Sequence, residues 1–213
     1  MQHLRLTSSL HYMPEWLFTF GFCFVIAVTS ACAQVGGKNY FPLADSTRWE
    51  YAGRFSSASG REYSVRMTSK VDGETLINGK KYFKLVTASD FSDVPGISRR
   101  IEDVRYYRFA EDGIYFHPGN DPNKPDLLEM PLPIPIGVKW LSGATEVQAE
   151  RVGTIQIRGH EYEDCLKITF KLADGSRTTT NYYAPGVGII KTMYVNITEP
   201  KSVVEVTLEK YEP

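Results

Sequence analysis

Apolar and polar residues alternate one for one along much of this chain. Tyr63, Val65 and Met67 are interleaved with Ser64, Arg66 and Thr68, which sets one face of an extended strand on a core and the other in water. The same period, with β-branched and aromatic enrichment, predicts further strands at Thr47–Gly53, Lys81–Thr87, Ile101–Phe109, Ile114–His117, Glu146–Ile157, Tyr162–Leu172, Arg177–Ala184, Gly188–Val195 and Val203–Glu209. Beyond residue 33 no segment repeats apolar residues at helical spacing over three turns. The pattern predicts an all-β chain.

Between the strands stand Asp72-Gly73, Asn78-Gly79, Asp112-Gly113 and Asp174-Gly175. These dipeptides accept the positive φ angles of tight turns, so neighbouring strands are predicted antiparallel. One stretch is read as strand-free. Residues 118–135 hold Pro118, Pro122, Pro125, Pro131, Pro133 and Pro135, which withhold backbone donors from a sheet, and the stretch is read as a linker or crossover loop.

The same landmarks recur in the same order on both sides of that stretch. Pro42-Leu43 leads to Trp49 as Pro133-Ile134 leads to Trp140; Ile77-Asn78-Gly79 and Tyr82 match Ile157-Arg158-Gly159 and Tyr162; Tyr106-Tyr107 before Gly113-Ile114 match Tyr182-Tyr183 before Gly188-Ile189. Three matches in register point to an internal duplication, with halves at 34–117 and 136–213. Each half, of four or five strands, buries one face poorly alone, so the two are predicted to pack as one combined domain. The fold expected is a strongly curved antiparallel sheet, half-barrel or sandwich built from two similar halves.

The first 33 residues change the picture of compartment. Trp16 to Ala27 is apolar over the length of a signal-peptide core and is too short to span a bilayer. Ala31 and Ala33 give the small-x-small pattern of a cleavage site, so residues 1–33 are read as a signal peptide. Arg5 is its only Lys or Arg and Glu15 abuts the apolar run, both departures from the usual basic leader. Thr29-Ser30-Ala31-Cys32 offers an alternative, a lipobox with Thr29 where an aliphatic residue usually stands, and lipidation at Cys32. An uncleaved anchor is a third fate. The chain is therefore expected in the periplasm or outside the cell, tethered to membrane only if a lipid is attached.

Composition narrows the rest. A formal net charge of −1 with scattered charges lacks the basic stripe that nucleic acid requires. With Cys23 and Cys32 in or beside the leader, Cys165 stands alone and no internal disulfide is expected. His160 and Cys165 form no credible nucleophile pair, because Glu161, Glu163 and Asp164 would raise the thiol pKa. His117 and His160 have no metal-ligand spacing, and Asp121, Asn123 and Asp126 lack the glycine and distal glutamate of a calcium loop. Phosphate loops, dinucleotide fingerprints and nucleophile elbows are absent. No metal, cofactor or catalytic residue is expected. What remains are the Tyr106-Tyr107 and Tyr182-Tyr183 pairs, in each of which one ring must face the core, giving candidate ligand-binding residues on a concave apolar surface.

Asn39-Tyr40-Phe41-Pro42-Leu43 with Trp49 and Tyr51, the Pro133-to-Trp140 segment with Gly137, and Tyr182-Tyr183-Ala184-Pro185-Gly186-Val187-Gly188 resemble a widespread group of uncharacterised secreted or lipid-anchored bacterial β-domain proteins. The resemblance covers nearly all of the chain after residue 33. It implies a fold similar to the curved sheets of envelope lipoprotein carriers and brings no activity. The expected function is a non-enzymatic envelope protein that binds an apolar small molecule or peptide on a curved β face. The alternative is a structural accessory protein that pairs with another envelope protein through an exposed edge strand.

Overall fold

Alternation becomes a continuous antiparallel meander in the computed structural model, which describes residues 34–119 and 121–213. The processing positions Ala31, Cys32 and Ala33 lie outside these residues. A short strand β1 (Gln34–Val35) and a 3-10 turn at Lys38–Tyr40 precede the long strands β2 (Arg48–Ser57), β3 (Glu62–Ile77), β4 (Lys80–Asp90), β5 (Arg100–Phe109) and β6 (Gly113–His117). Then come β7 (Leu127–Pro131), β8 (Ile134–Pro135), β9 (Lys139–Ser142), β10 (Thr145–Ile157), β11 (His160–Leu172), β12 (Arg177–Ala184), β13 (Gly188–Asn196) and β14 (Ser202–Glu212).

Twelve of these form one sheet in the order β7-β6-β5-β4-β3-β2-β14-β13-β12-β11-β10-β9, every neighbour antiparallel. The sheet curls on itself into a nearly closed barrel. Its two edge strands, β7 and β9, face each other across a seam without a ladder of hydrogen bonds. Trp140 Nε1 on β9 donates to the Glu129 carbonyl on β7 at 3.2 Å, and Leu127 of β7 sits against Gly143 in the turn after β9. Opposite that seam, β2 and β14 are zipped from Arg48 to Ser57. Gly53 permits this, because a Cβ there would lie 1.8 Å from the Glu205 carbonyl oxygen.

Residues 118–135 differ from the strand-free linker that their prolines suggest. β7 and β8 lie within this stretch, β7 in the main sheet and β8 paired with β1. The prolines are tolerated because β7 is an edge strand, where an absent N–H costs no ladder bond on the open side. Lys139–Ser142, too short to read from periodicity, adds β9, so six strands of the barrel fall on each side of the loop 132–138.

The two sides share local detail. The β3–β4 turn has Asn78 at φ 51° and Gly79 at 73°, and the β10–β11 turn has Arg158 at 53° and Gly159 at 81°; two positive φ values are the requirement of a type I′ hairpin. Four residues before each isoleucine of these turns stands a positive-φ glycine, Gly73 at 75° and Gly153 at 69°, at a register shift in its strand. Bulges of this kind bend long strands, here β3 of 16 residues and β10 of 13.

The core fills the barrel. Trp49, Tyr51 and Phe55 of β2, Val65 and Val71 of β3, Tyr107 of β5, Leu166 and Ile168 of β11, Tyr183 of β12 and Val206 and Leu208 of β14 belong to one buried cluster.

Candidate functional site

Loops alternate between the two ends of a meander, and the ends of this barrel are closed differently. At the end that carries the β3–β4 and β10–β11 turns, the segment from Lys38 to Ser46 enters the barrel. It is fixed by polar bonds: Tyr40 OH donates to the Asp164 carbonyl at 2.7 Å, and Gly186 N to the Asn39 carbonyl at 2.7 Å. Trp49 Nε1 donates to the Val187 carbonyl at 2.6 Å and Tyr51 OH to the Ile189 carbonyl at 3.0 Å. Phe41 is thereby held between Tyr107 and Tyr183, with ring centroids 5.5 and 5.6 Å away. The void left beside this plug is a cavity of about 50 Å³ lined by residues that include Phe41, Leu43, Trp49, Tyr51 and Tyr183. That holds a water molecule or two, far below the few hundred Å³ of an ordinary ligand pocket.

The opposite end is covered by the loop between β4 and β5, residues 91–99. Among the described residues its three backbone-to-backbone hydrogen bonds close within itself, Phe91 N to Arg99 O, Val94 N to Phe91 O and Ile97 N to Val94 O, and Ser92 N donates to Asp90 Oδ1 at the end of β4 at 2.9 Å. Val94 is 5% exposed and belongs to the core cluster, while Phe91 and Ile97 pack against that cluster half-buried. Phe91 meets Phe55 edge-on at 6.4 Å. The loop is thus an apolar stopper set into the barrel mouth.

Of the tyrosines singled out from the sequence, the structure joins Tyr107 and Tyr183, both inward and both on Phe41. Tyr106 and Tyr182 take the other face. Tyr106 packs with Ile77 and Tyr82 in a separate small cluster, and Tyr182 carries Lys191 Nζ 5.7 Å from its ring centre. Desolvation pushes the Tyr107 hydroxyl up to about 12, with the nearby Glu129 carboxyl adding and Arg105 opposing. Tyr183 is raised by the same two causes in the same order, burial and then Glu129.

Glu129 is the residue that sequence reasoning missed. Ile114 pairs with Met130 and Tyr115 with Leu128, so Glu129 is the extra residue of a bulge, and the bulge brings both Glu129 and Met130 under cover. Glu129 is 6% exposed. Burial holds its carboxyl above the usual range, with Arg105 acting in the opposite sense. Its one legible signal was a carboxylate inside the apolar run Leu127-Leu128-Glu129-Met130. Arg105, one interior step closer to the mouth than Tyr107, is half exposed and its Nε donates to Asp103 at 2.7 Å.

A second polar cluster lies outside the barrel. Asp126 accepts from Tyr82 OH at 2.8 Å and Arg108 Nε at 2.7 Å, and lies 3.2 Å from His117 Nδ1. His117 Nε2 lies 2.9 Å from the Asp121 carbonyl, and Asn78 Nδ2 donates to the Pro122 carbonyl. Desolvation would raise the Asp126 carboxyl, but its bonds from Arg108, Tyr82 and His117 outweigh it and hold the group low. Asp126 therefore serves cationic and hydroxyl partners that strap residues 118–126 to the outer face. Asp121 Oδ1 accepts from Asn123. Cys165 is sealed in the core with Sγ on the Tyr162 carbonyl at 3.2 Å, and burial pushes its thiol up.

The chain matches no protein-family model and no curated protein. Among solved structures it is similar to a protein of Parabacteroides distasonis assigned as a lipoprotein, at 12% identity and TM-score 0.43, covering 81% of this chain and 98% of that one. A Bacteroides fragilis protein with a YmcC-like fold, assigned as exported, aligns at 11% identity and TM-score 0.41, covering 85% and 100%. A LolA superfamily protein of Nitrosomonas europaea aligns at 10% identity and TM-score 0.34, covering 83% and 89%.

Proposed function

We propose that this chain is a non-enzymatic, exported cell-envelope protein that binds an apolar ligand inside its barrel beneath the loop 91–99. The observation that carries this reading is the stopper itself. A loop whose backbone-to-backbone hydrogen bonds among the described residues close within itself, held down by Phe91, Val94 and Ile97, occupies with apolar side chains the space that an apolar ligand would take. With the interior otherwise filled, binding requires that loop to swing out. The landmarks shared by the two sides support an origin by duplication, and the signal-like leader supports export.

The test is titration of the mature chain with an environment-sensitive apolar dye, with and without Phe91→Ser and Val94→Ser. Saturable 1:1 binding that the variants tighten is expected; absence of binding in both forms would overturn the reading. Pairing through an edge strand is favoured by a different observation, the exposed Val138 and Leu141 at and beside β9, at 41% and 68% exposure. Cross-linking from a cysteine placed at Leu141 to a partner in the native envelope would support it.

A further inference from the structure

On the outside of the barrel, β3 and β4 carry a trough whose charge differs from that of the chain as a whole. Arg66, Thr68 and Lys70 alternate with the inward Val65, Met67 and Ser69 and so stand on the outer wall. Register sets Arg66 beside Asp90 and Asp90 beside Arg100; the next row towards the plug holds Thr68 and Ala88, and the one after it Arg48, Lys70 and Val86. Thr68, Val86 and Ala88 are short, and two adjoining depressions of about 330 and 410 Å³ open above them, sharing Thr68, Ala88 and Arg100. Their combined lining holds five cations and two carboxylates, in a chain of formal net charge −1. The carboxylates are turned to other partners: Asp90 accepts from Ser92 N at 2.9 Å and from Ser92 Oγ, and Asp72 accepts from Lys84 at 2.9 Å. Glu50 and Glu102, on the flanks, are drawn to Arg48 at 2.9 Å and loosely to Arg100 at 3.9 Å. Among the described residues Arg66 and Arg99 form no ion pair. Exposed pairs contribute little and yield to a better partner. Beyond Arg66 the next depression is lined by Asp90 and Asp93, so the positive ground ends there.

We propose that this trough is a binding site for a ligand with two phosphate groups, one held by Arg66, Arg99 and Arg100 and the other by Arg48 and Lys70. Guanidinium forks match phosphate oxygens, and a phosphate brings more charge to a cationic cluster than a carboxylate does. Arg66 and Lys70 stand four residues apart on one strand, which spaces the two phosphates by roughly 13 Å. Between them Thr68, Val86 and Ala88 give an uncharged floor to the body of the ligand. The site lies on the outer wall and is independent of the carrier reading.

The experiment is calorimetric titration of the full mature chain at neutral pH and low salt with α,ω-octanediol bisphosphate, whose phosphates reach that span when extended, and with octyl phosphate. The bisphosphate is expected to bind roughly tenfold or more tighter, because its second phosphate meets its anchor at high effective concentration. Arg66→Gln with Arg99→Gln should weaken it about tenfold or more. Arg48→Gln with Lys70→Gln should bring it down to the affinity of octyl phosphate, and Lys167→Gln on β11 should leave it unchanged. All five side chains are exposed or half-buried, so each variant should keep its melting temperature. Equal affinity of the two compounds for the wild type would overturn the two-ended site. Binding untouched by the Arg66 and Arg99 changes would overturn the trough as its place, and failure of both compounds to bind would remove the proposal. Flotation with phosphatidylglycerol against phosphatidylcholine vesicles separates the sources of phosphate. Capture by the first alone, competed by the bisphosphate, supports the site with lipid head groups as its ligand; capture by neither, with the bisphosphate bound, supports it with a soluble ligand.

Discussion

Val94→Ser tests whether the stopper is a separate unit of stability. The loop is held to the barrel by three side chains, of which only Val94 is nearly sealed, at 5% exposure. Burying such a side chain contributes about 2 kcal/mol. Val94, the half-buried Phe91 and Ile97 at about half that value each, and the three internal backbone bonds supply roughly 7 kcal/mol, against about 1 kcal/mol for ordering each residue from 91 to 99. The terms nearly cancel, so the closed loop sits close to its opening equilibrium. Serine at position 94 removes about 2 kcal/mol from the closed state, and at 1.4 kcal/mol per factor of ten the opening equilibrium constant rises about 30-fold. Hydrogen exchange read by mass spectrometry on a peptide spanning 91–99 should accelerate to the rate of unprotected amides, while strands β3 and β11 exchange as before. If exchange in the loop is unchanged and the whole barrel instead loses about 2 kcal/mol, the loop is ordinary core and the stopper argument fails.

Glu129→Gln should raise stability as pH climbs. Burial lifts the folded carboxyl above its unfolded value, about 4.3 for a free glutamate, so the wild type loses stability as pH rises from that value through the folded one. The difference in melting temperature in favour of the variant should open over this window and vanish below pH 4; a constant difference refutes the burial argument. Asp126 has the opposite sign, its stabilisation being present above about pH 3.9 and lost as pH falls through its lowered folded value. Asp126→Ala should cost about 3 kcal/mol in urea unfolding, because Arg108 and His117 lose a largely covered partner; a loss below 1 kcal/mol would make the strap dispensable. Phe41→Ala should cost about 4 kcal/mol and enlarge the neighbouring cavity, read as a fall in the urea midpoint at unchanged slope.

Strand periodicity carried most of the fold to the surface of the sequence because a barrel wall has one wet and one dry face. Every predicted strand lies within or overlaps an observed one, and the turns at Asn78-Gly79 and Arg158-Gly159 follow their φ requirement. β7 was hidden by Pro131 and by the assumption that proline excludes a sheet, which holds for central strands and fails at an edge. The inward placement of Tyr107 and Tyr183 was legible as an alternation, but not which ring of each pair would turn in. The burial of Glu129 was illegible for a physical reason: a bulge resets the face that a residue takes, and nothing in Leu-Leu-Glu-Met announces a bulge. The stopper 91–99 has no period at all, and its role comes from where the barrel mouth lies.

The pairing of β2 with β14 sets an order of events in time. These strands lie about 150 residues apart in the chain yet share the ten-residue ladder that joins the two sides of the barrel. Hairpins such as β3–β4 and β10–β11 close within microseconds, whereas this zip must wait for the last strand and for a large loss of chain entropy. Until then β2 presents an unpaired edge, with Trp49, Tyr51 and Phe55 uncovered on its inner face. The nascent or newly delivered chain therefore passes through a sticky half-built intermediate, and a chain shortened by the length of β14 would remain in it.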